Sequence, residues 1–196
     1  MQNVEYKAEL KDPALARSIV RALGATPRGT LIQTDTYFML GAPAGRTKRA
    51  AVRSGRLKKR ETAGAPTQWI SYDREDSAAP KLSRFKIYTE EEAAAKFGPG
   101  PHETRVVVRK TRELFMLGHV RIHLDTVENP GTFLEFEALV SPSHHMSQCH
   151  ATLAHLRERF DPVLGEPLSV SYSDLIASKL PESTEPASDA APIFPE

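Results

Sequence analysis

Apolar and polar residues alternate with a period of two in eight short segments, at about 2–10, 31–40, 55–61, 68–74, 82–88, 104–115, 119–127 and 132–140. That period places residues i, i+2 and i+4 on one face of a strand. The MLG stretch between 104–115 and 119–127, and Asn129-Pro130-Gly131 after it, are turn signals joining neighbouring strands as hairpins. Helical spacing interrupts the strands in a few places. Asp12 can cap a helix that begins at Pro13, carries Ile19, Val20 and Leu23 on one side, and stops at Gly24. Thr89 and Glu92 form a capping box before AAAKF and Gly98. Met146, Cys149, Leu153 and Leu156 mark a helix within 143–160, and a short final helix is expected over 171–179. Many strands with short connections predict an all-β antiparallel core, a sandwich or barrel, with flanking helices.

The alternation also sorts the charges. Asn3, Glu5 and Lys7 share a face, as do Arg56, Lys58 and Arg60; Tyr72 and Arg74; Lys110 and Arg112; Arg121, His123 and Asp125; and Glu135 and Glu137. An antiparallel sheet with one wet face is common. A solvated face, however, normally mixes residue types, whereas several of these strands are nearly pure in sign. Two carboxylates two residues apart on a strand lie about 6.5–7 Å from each other. Such a pair is unfavourable unless a cation sits between them. Mg²⁺ or Mn²⁺ suits carboxylate oxygens, and the Lys/Arg doublets call for a polyanion such as phosphate. Together they describe a site for a metal-bound polyphosphate. His123 reads as a hydrogen-bonded spacer rather than a ligand, and Cys149 as a core residue. In 82–88 the register stays open: either Lys81 and Ser83 or Arg84 and Lys86 point inward.

Composition narrows the classes. The chain has 196 residues, 40% hydrophobic and 26% charged, enough for one domain with its own core. A net charge of +1 gives no bulk reason to expect nucleic-acid binding. No apolar run nears the roughly 18 residues that cross a bilayer, and Glu5, Lys7 and Glu9 break any signal-peptide layout. One cysteine excludes an internal disulfide framework. A cytoplasmic protein without a membrane partner is the expectation. Charge is nonetheless uneven, since residues 46–60 hold eight basic residues and no acid. Within them, 41–54 looks like an insertion, either a solvated loop or a rim in which Arg46, Lys48, Arg49 and Arg53 draw an anion inward. Residues 1–180 read as one domain and 181–196 as a disordered tail.

The N-x-E-x-K of Asn3, Glu5 and Lys7 resembles the E-x-E-x-K signature of the CYTH superfamily, the triphosphate tunnel metalloenzymes. That superfamily takes its name from bacterial class IV adenylyl cyclases and thiamine triphosphatases. The resemblance continues in order through QTDTYF (33–38), GRLKKRE (55–61), YDRED (72–76), VVRKTREL (107–114), VRIHLDTVENPGTFLEFE (120–137) and SYSDLI (171–176). Its most specific part, the RIHLD…G-x-FLEFE run, looks most like the adenylyl-cyclase-like branch. The resemblance implies an eight-stranded antiparallel closed β-barrel whose tunnel binds a triphosphate with Mg²⁺ or Mn²⁺. By position, Glu5, Glu135 and Glu137 look like metal ligands, with Asn3 where the family carries a further Glu. Lys7, Lys58, Arg60, Arg74, Lys110, Arg112 and Arg121 look like the triphosphate lining. Lys7 is also the candidate for proton transfer, Asp125 for binding metal or orienting a nucleophile, and Tyr172 for closing one end. The implied activity is metal-dependent hydrolysis of inorganic, nucleoside or thiamine triphosphate. The alternatives are cyclisation of ATP to cyclic AMP and pyrophosphate, or binding without turnover. The implied partner is that small molecule, with a homodimer left open.

Overall fold

The computed structural model describes residues 1–39, 56–74 and 76–179; the side chains of Arg56 and Arg74 fall outside it as well. The strands are β1 (Gln2–Leu10), β2 (Thr26–Phe38), β3 (Arg56–Thr62), β4 (Gln68–Arg74), β5 (Lys81–Tyr88), β6 (Thr104–Leu117), β7 (Val120–Val127), β8 (Gly131–Leu139) and β9 (Leu164–Pro167). The helices are α1 (Pro13–Ala22), α2 (Glu90–Phe97), α3 (Met146–Phe160) and α4 (Tyr172–Ala177), with a 3₁₀ turn at Asp161–Val163. The basic 41–54 segment and the tail from 181 lie outside the described residues.

Eight antiparallel strands follow one another in the order β5-β4-β3-β2-β6-β7-β8-β1, and the β1–β5 pairing closes them into a barrel. All eight predicted strands are present. Two features differ from expectation. β2 begins at Thr26 rather than near 31, because Pro27 and Gly29 sit at an irregularity in its pairing with β6, where Gly29 takes φ 113°. In the sequence those residues look like a loop. β9 extends the sheet along β1 beyond β5, pairing Leu164 with Leu10 and Pro167 with Ala8.

Local chemistry sets the helix ends. Asp12 accepts from the Leu15 amide, and Thr89 and Glu92 exchange the two bonds of a capping box. Ser171 does the same with Asp174 before α4.

On β1, β7 and β8 the apolar face points outward. Val4, Tyr6 and Ala8 of β1, Ile122 and Leu124 of β7, and Leu134 and Phe136 of β8 are buried beneath α1 and α3. Phe136 meets Phe160 of α3 edge-on at 5.2 Å between ring centroids. Each fully buried side chain of this size stabilises the fold by roughly 1.5–3 kcal/mol. Cys149 is completely buried in the same cluster, as its helical position predicts. α2 covers Leu57, Trp69 and Tyr88 with Ala93, and Trp69 Nε1 donates to Glu90 at 2.6 Å. With the helices covering much of the outer face, the charged faces of β1, β3, β6, β7 and β8 turn into the barrel.

Candidate functional site

The barrel encloses a cavity of about 390 Å³, within the range of small-molecule sites. Period-two alternation delivers its lining. Asn3, Glu5 and Lys7 project from β1, Lys58 and Arg60 from β3, Lys110 and Arg112 from β6, Arg121 and His123 from β7, and Glu135 and Glu137 from β8. On β5, Ser83 faces the cavity while Arg84 is exposed, which settles the open register. Arg74 ends β4 opposite Ser83, but its side chain lies outside the described residues.

Two ion-pair centres organise this wall. Asp35 of β2, with no solvent exposure, is the first. Arg60 grips it with two bonds of 2.7 Å, and the Lys58 and Lys110 ammoniums donate at 2.9 and 2.8 Å. Burial opposes the Asp35 charge, but Lys110, Lys58 and Arg60 outweigh it and hold the carboxyl well below its ordinary value. The lysines respond the other way. Burial and the neighbouring Arg60 charge push Lys58 down to about 7, partly offset by Asp35. Burial brings Lys110 to about 8. One carboxylate facing three cations leaves this corner with excess positive charge.

Arg112 is the second centre. Its guanidinium makes bonds of 2.7 and 2.6 Å to Asp125 and one of 2.7 Å to Glu135. Against desolvation, the Asp125 and Glu135 charges raise its pKa well above the ordinary value. Burial works against ionised Glu135 too, yet Lys7 and Arg112 hold its pKa well below normal. Lys7 Nζ lies 3.0 Å from Glu135 and 4.0 Å from the centroid of the Tyr172 ring. The Tyr172 hydroxyl donates to Asp125 at 2.9 Å. Burial and these two carboxylates keep that phenol protonated, far above its usual pKa. Tyr172 packs on Phe133, with Val106, Val108, Val127 and Leu168 around it. This apolar cluster fills one end of the interior, as the resemblance implies for Tyr172.

The acidic side of the cavity has a donor set for a cation. One ligand atom each from His123, Glu135 and Glu137 lies within 4.8 Å of the others. Glu5 stands directly opposite Glu137 in the β1–β8 register. Asn3 is 97% buried, and its Oδ1 meets no hydrogen-bond donor among the described residues. A buried acceptor without a donor is costly, and a cation would satisfy it. These oxygens and one imidazole fit a divalent ion. His123 does hydrogen-bond Glu135, at 3.1 Å, as a spacer would; it also belongs to the donor set.

The structure brings together the predicted residues whose side chains are described, with Arg121 at the margin, pairing with Glu137 at 3.4 Å. Asp35 is the buried interior carboxylate that the pattern alone passed over. It shares the inward phase of β2 with Gln33 and Tyr37, but its cationic partners are distant in sequence.

The CYTH domain family profile matches residues 1–160. No curated protein sequence matches the chain. Among solved structures, the PH1012 protein of Pyrococcus horikoshii OT3 aligns with a TM-score of 0.64 at 21% identity, covering 88% of this chain and 98% of its own. A candidate adenylate cyclase from Vibrio parahaemolyticus aligns at 0.65 and 19%, covering 89% and 97%. HpAC1 of Hippeastrum, a candidate adenylyl cyclase reported to reveal a dominant triphosphatase activity, aligns at 0.59 and 16%, covering 90% and 95%. At these identities the likeness is one of fold.

Proposed function

Because this chain belongs to the CYTH family, whose members are generally divalent-metal-dependent triphosphatases or cyclases, we propose that it is a metal-dependent phosphohydrolase acting on a triphosphate held in the barrel. The reading rests on one arrangement above all. A cationic excess around Asp35 shares a closed interior with the His123–Glu135–Glu137 donor set. A linear polyanion spanning the two would meet cations along its length and carboxylates at its metal-bound part.

Glu135, Glu137 and His123, with Glu5 and Asn3 beside them, would hold Mg²⁺ or Mn²⁺. When bound, the ion would neutralise phosphate oxygens and polarise the phosphorus under attack. The protein's own residues do the rest by positioning and charge, which dominate phosphoryl transfer. Lys58, Arg60 and Lys110 bind and orient phosphate oxygens through donors already fixed by Asp35. Arg112, clamped between Asp125 and Glu135, presents a preorganised charge where the leaving group gains negative charge. Arg121 and Arg74 extend the lining. Lys7 is placed to give or take a proton, and Asp125, braced by Arg112 and Tyr172, orients the nucleophile. The Tyr172–Phe133 cluster keeps water out from its end.

Phosphorus NMR of products from inorganic triphosphate, ATP and thiamine triphosphate, in Mg²⁺ and then Mn²⁺, tests the reading. Orthophosphate release is expected. Cyclic AMP with pyrophosphate would assign the same site to cyclisation, and binding without turnover would overturn the enzymatic reading.

A further inference from the structure

One sector of the cavity wall is neither cationic nor acidic. Ile70 and Tyr72 of β4 and Phe85 and Ile87 of β5 all line the interior. Ile70 stands directly opposite Ile87, and Tyr72 opposite Phe85, so the four make one contiguous panel. In the strand order of the barrel, β4 and β5 lie across from β7 and β6, so the panel faces the Arg112–His123 wall. Ile70, Phe85 and Ile87 belong to none of the three packed apolar clusters that hold the fold together. Ile87 is 37% exposed although its side chain points into the barrel. Apolar surface left facing a polar, charged cavity costs free energy in proportion to its area. A site made only for phosphates would have no use for such a panel.

The panel also adjoins the phosphate-binding corner. Lys58 pairs directly across from Ile70, and its Nζ lies 5.7 Å from the centroid of the Tyr72 ring. A flat apolar group carried at one end of a triphosphate would lie on the panel while its phosphates reached Lys58, Arg60 and Lys110. We propose that the panel is a subsite for the heterocycle of an organic triphosphate, so that the preferred substrate is a nucleoside or similar triphosphate and not inorganic triphosphate. This rests on the triphosphate reading of the same cavity and names its substrate class.

The test is equilibrium binding by calorimetry in EDTA, where metal-dependent turnover is off. The probes are inorganic triphosphate, the four common ribonucleoside triphosphates and thiamine triphosphate. At least one organic triphosphate is expected to bind about tenfold or more tightly than the inorganic one, about 1.4 kcal/mol. Ile87→Asn, at a partly exposed position, should remove most of that preference while leaving inorganic triphosphate within twofold. Phe85→Ser provides a second variant, and unchanged inorganic binding certifies that each variant is folded. If inorganic triphosphate binds at least as tightly as every organic probe, the subsite is overturned and the triphosphate reading stands. Equal losses for both ligand classes in both variants would also overturn it. If no probe is bound or turned over by the wild-type protein, in EDTA or with Mg²⁺ or Mn²⁺ added, both readings fall.

Discussion

Replacing Asp35 by Asn leaves the shape of β2 unchanged but removes the only carboxylate among the described residues that holds Lys58, Arg60 and Lys110. Breaking a buried ion pair by deleting one partner typically costs about 3–5 kcal/mol, here with three cations left facing one another. For a chain of this size each kcal/mol moves the unfolding midpoint by about 2–4 °C, so a drop of roughly 6–20 °C is expected. The loss should depend on pH. Near pH 6 all three cations are charged and the variant suffers most. By pH 9, above the values of about 7 for Lys58 and about 8 for Lys110, both lysines are largely neutral and the gap should narrow. A polyanion should substitute for the missing carboxylate, so ATP should raise the midpoint of the variant more than that of the wild type. Thermal unfolding followed by circular dichroism, at pH 6 and 9 with and without ATP, reads all of this. A variant within 2 °C of wild type at pH 6, or one that ATP stabilises less, would refute the assignment of Asp35 as the organiser of the cationic corner.

The depressed lysines make polyanion binding a proton-linked event. Raising Lys58 and Lys110 with ATP should draw about one proton from solution at pH 8, where the terminal phosphate is already ionised, and almost none from these lysines at pH 6; calorimetry in buffers of different ionisation enthalpy measures it. Glu135→Gln removes a carboxylate from the donor set, and metal-dependent turnover should fall at least a hundredfold with the fold retained by circular dichroism; an unaffected rate would discard the metal assignment. Asn3→Glu adds a charge where Oδ1 lacks a donor, so Mn²⁺ titrated calorimetrically into the ligand-free protein should bind about tenfold more tightly. Tyr172→Phe deletes a hydrogen bond to a buried carboxylate, with an expected cost of roughly 1.5–3 kcal/mol in denaturant unfolding.

Most of this interior was legible because strand alternation is a strong constraint: a charge at position i fixes the facing of i+2 and i+4. Glu135 with Glu137, and Lys110 with Arg112, could be assigned to one wall from spacing alone. Asp35 could not. Its partners sit 23, 25 and 75 residues away, and a lone acid between Gln33 and Tyr37 looks the same whether it faces water or three cations. β9 was invisible for a related reason. LGEP has no alternation and carries a proline, and it becomes a strand because the edge of β1 beyond β5 offers unpaired backbone groups. The apolar panel escaped notice since Phe85 and Ile87 alternate with Arg84 and Lys86, a phase that in isolation suggests an ordinary core-facing strand.

The placement of β1 has a consequence for how the molecule is made. β1 precedes all the strands it pairs with, being hydrogen-bonded along one edge to β8, with Glu5 opposite Glu137, and along the other to β5 and β9. Lys7 then accepts the amide of Leu168 at its carbonyl, just before the segment that carries Tyr172. During synthesis, β1 must therefore wait for almost the whole domain before its edges are occupied, a long-range pairing of the kind that slows folding. Asn3, Glu5 and Lys7 are made well before Glu135, Glu137 and Tyr172, which complete the site they serve. A nascent chain stalled before β8 would carry those three side chains on an open edge, without the wall that gives them a ligand to hold.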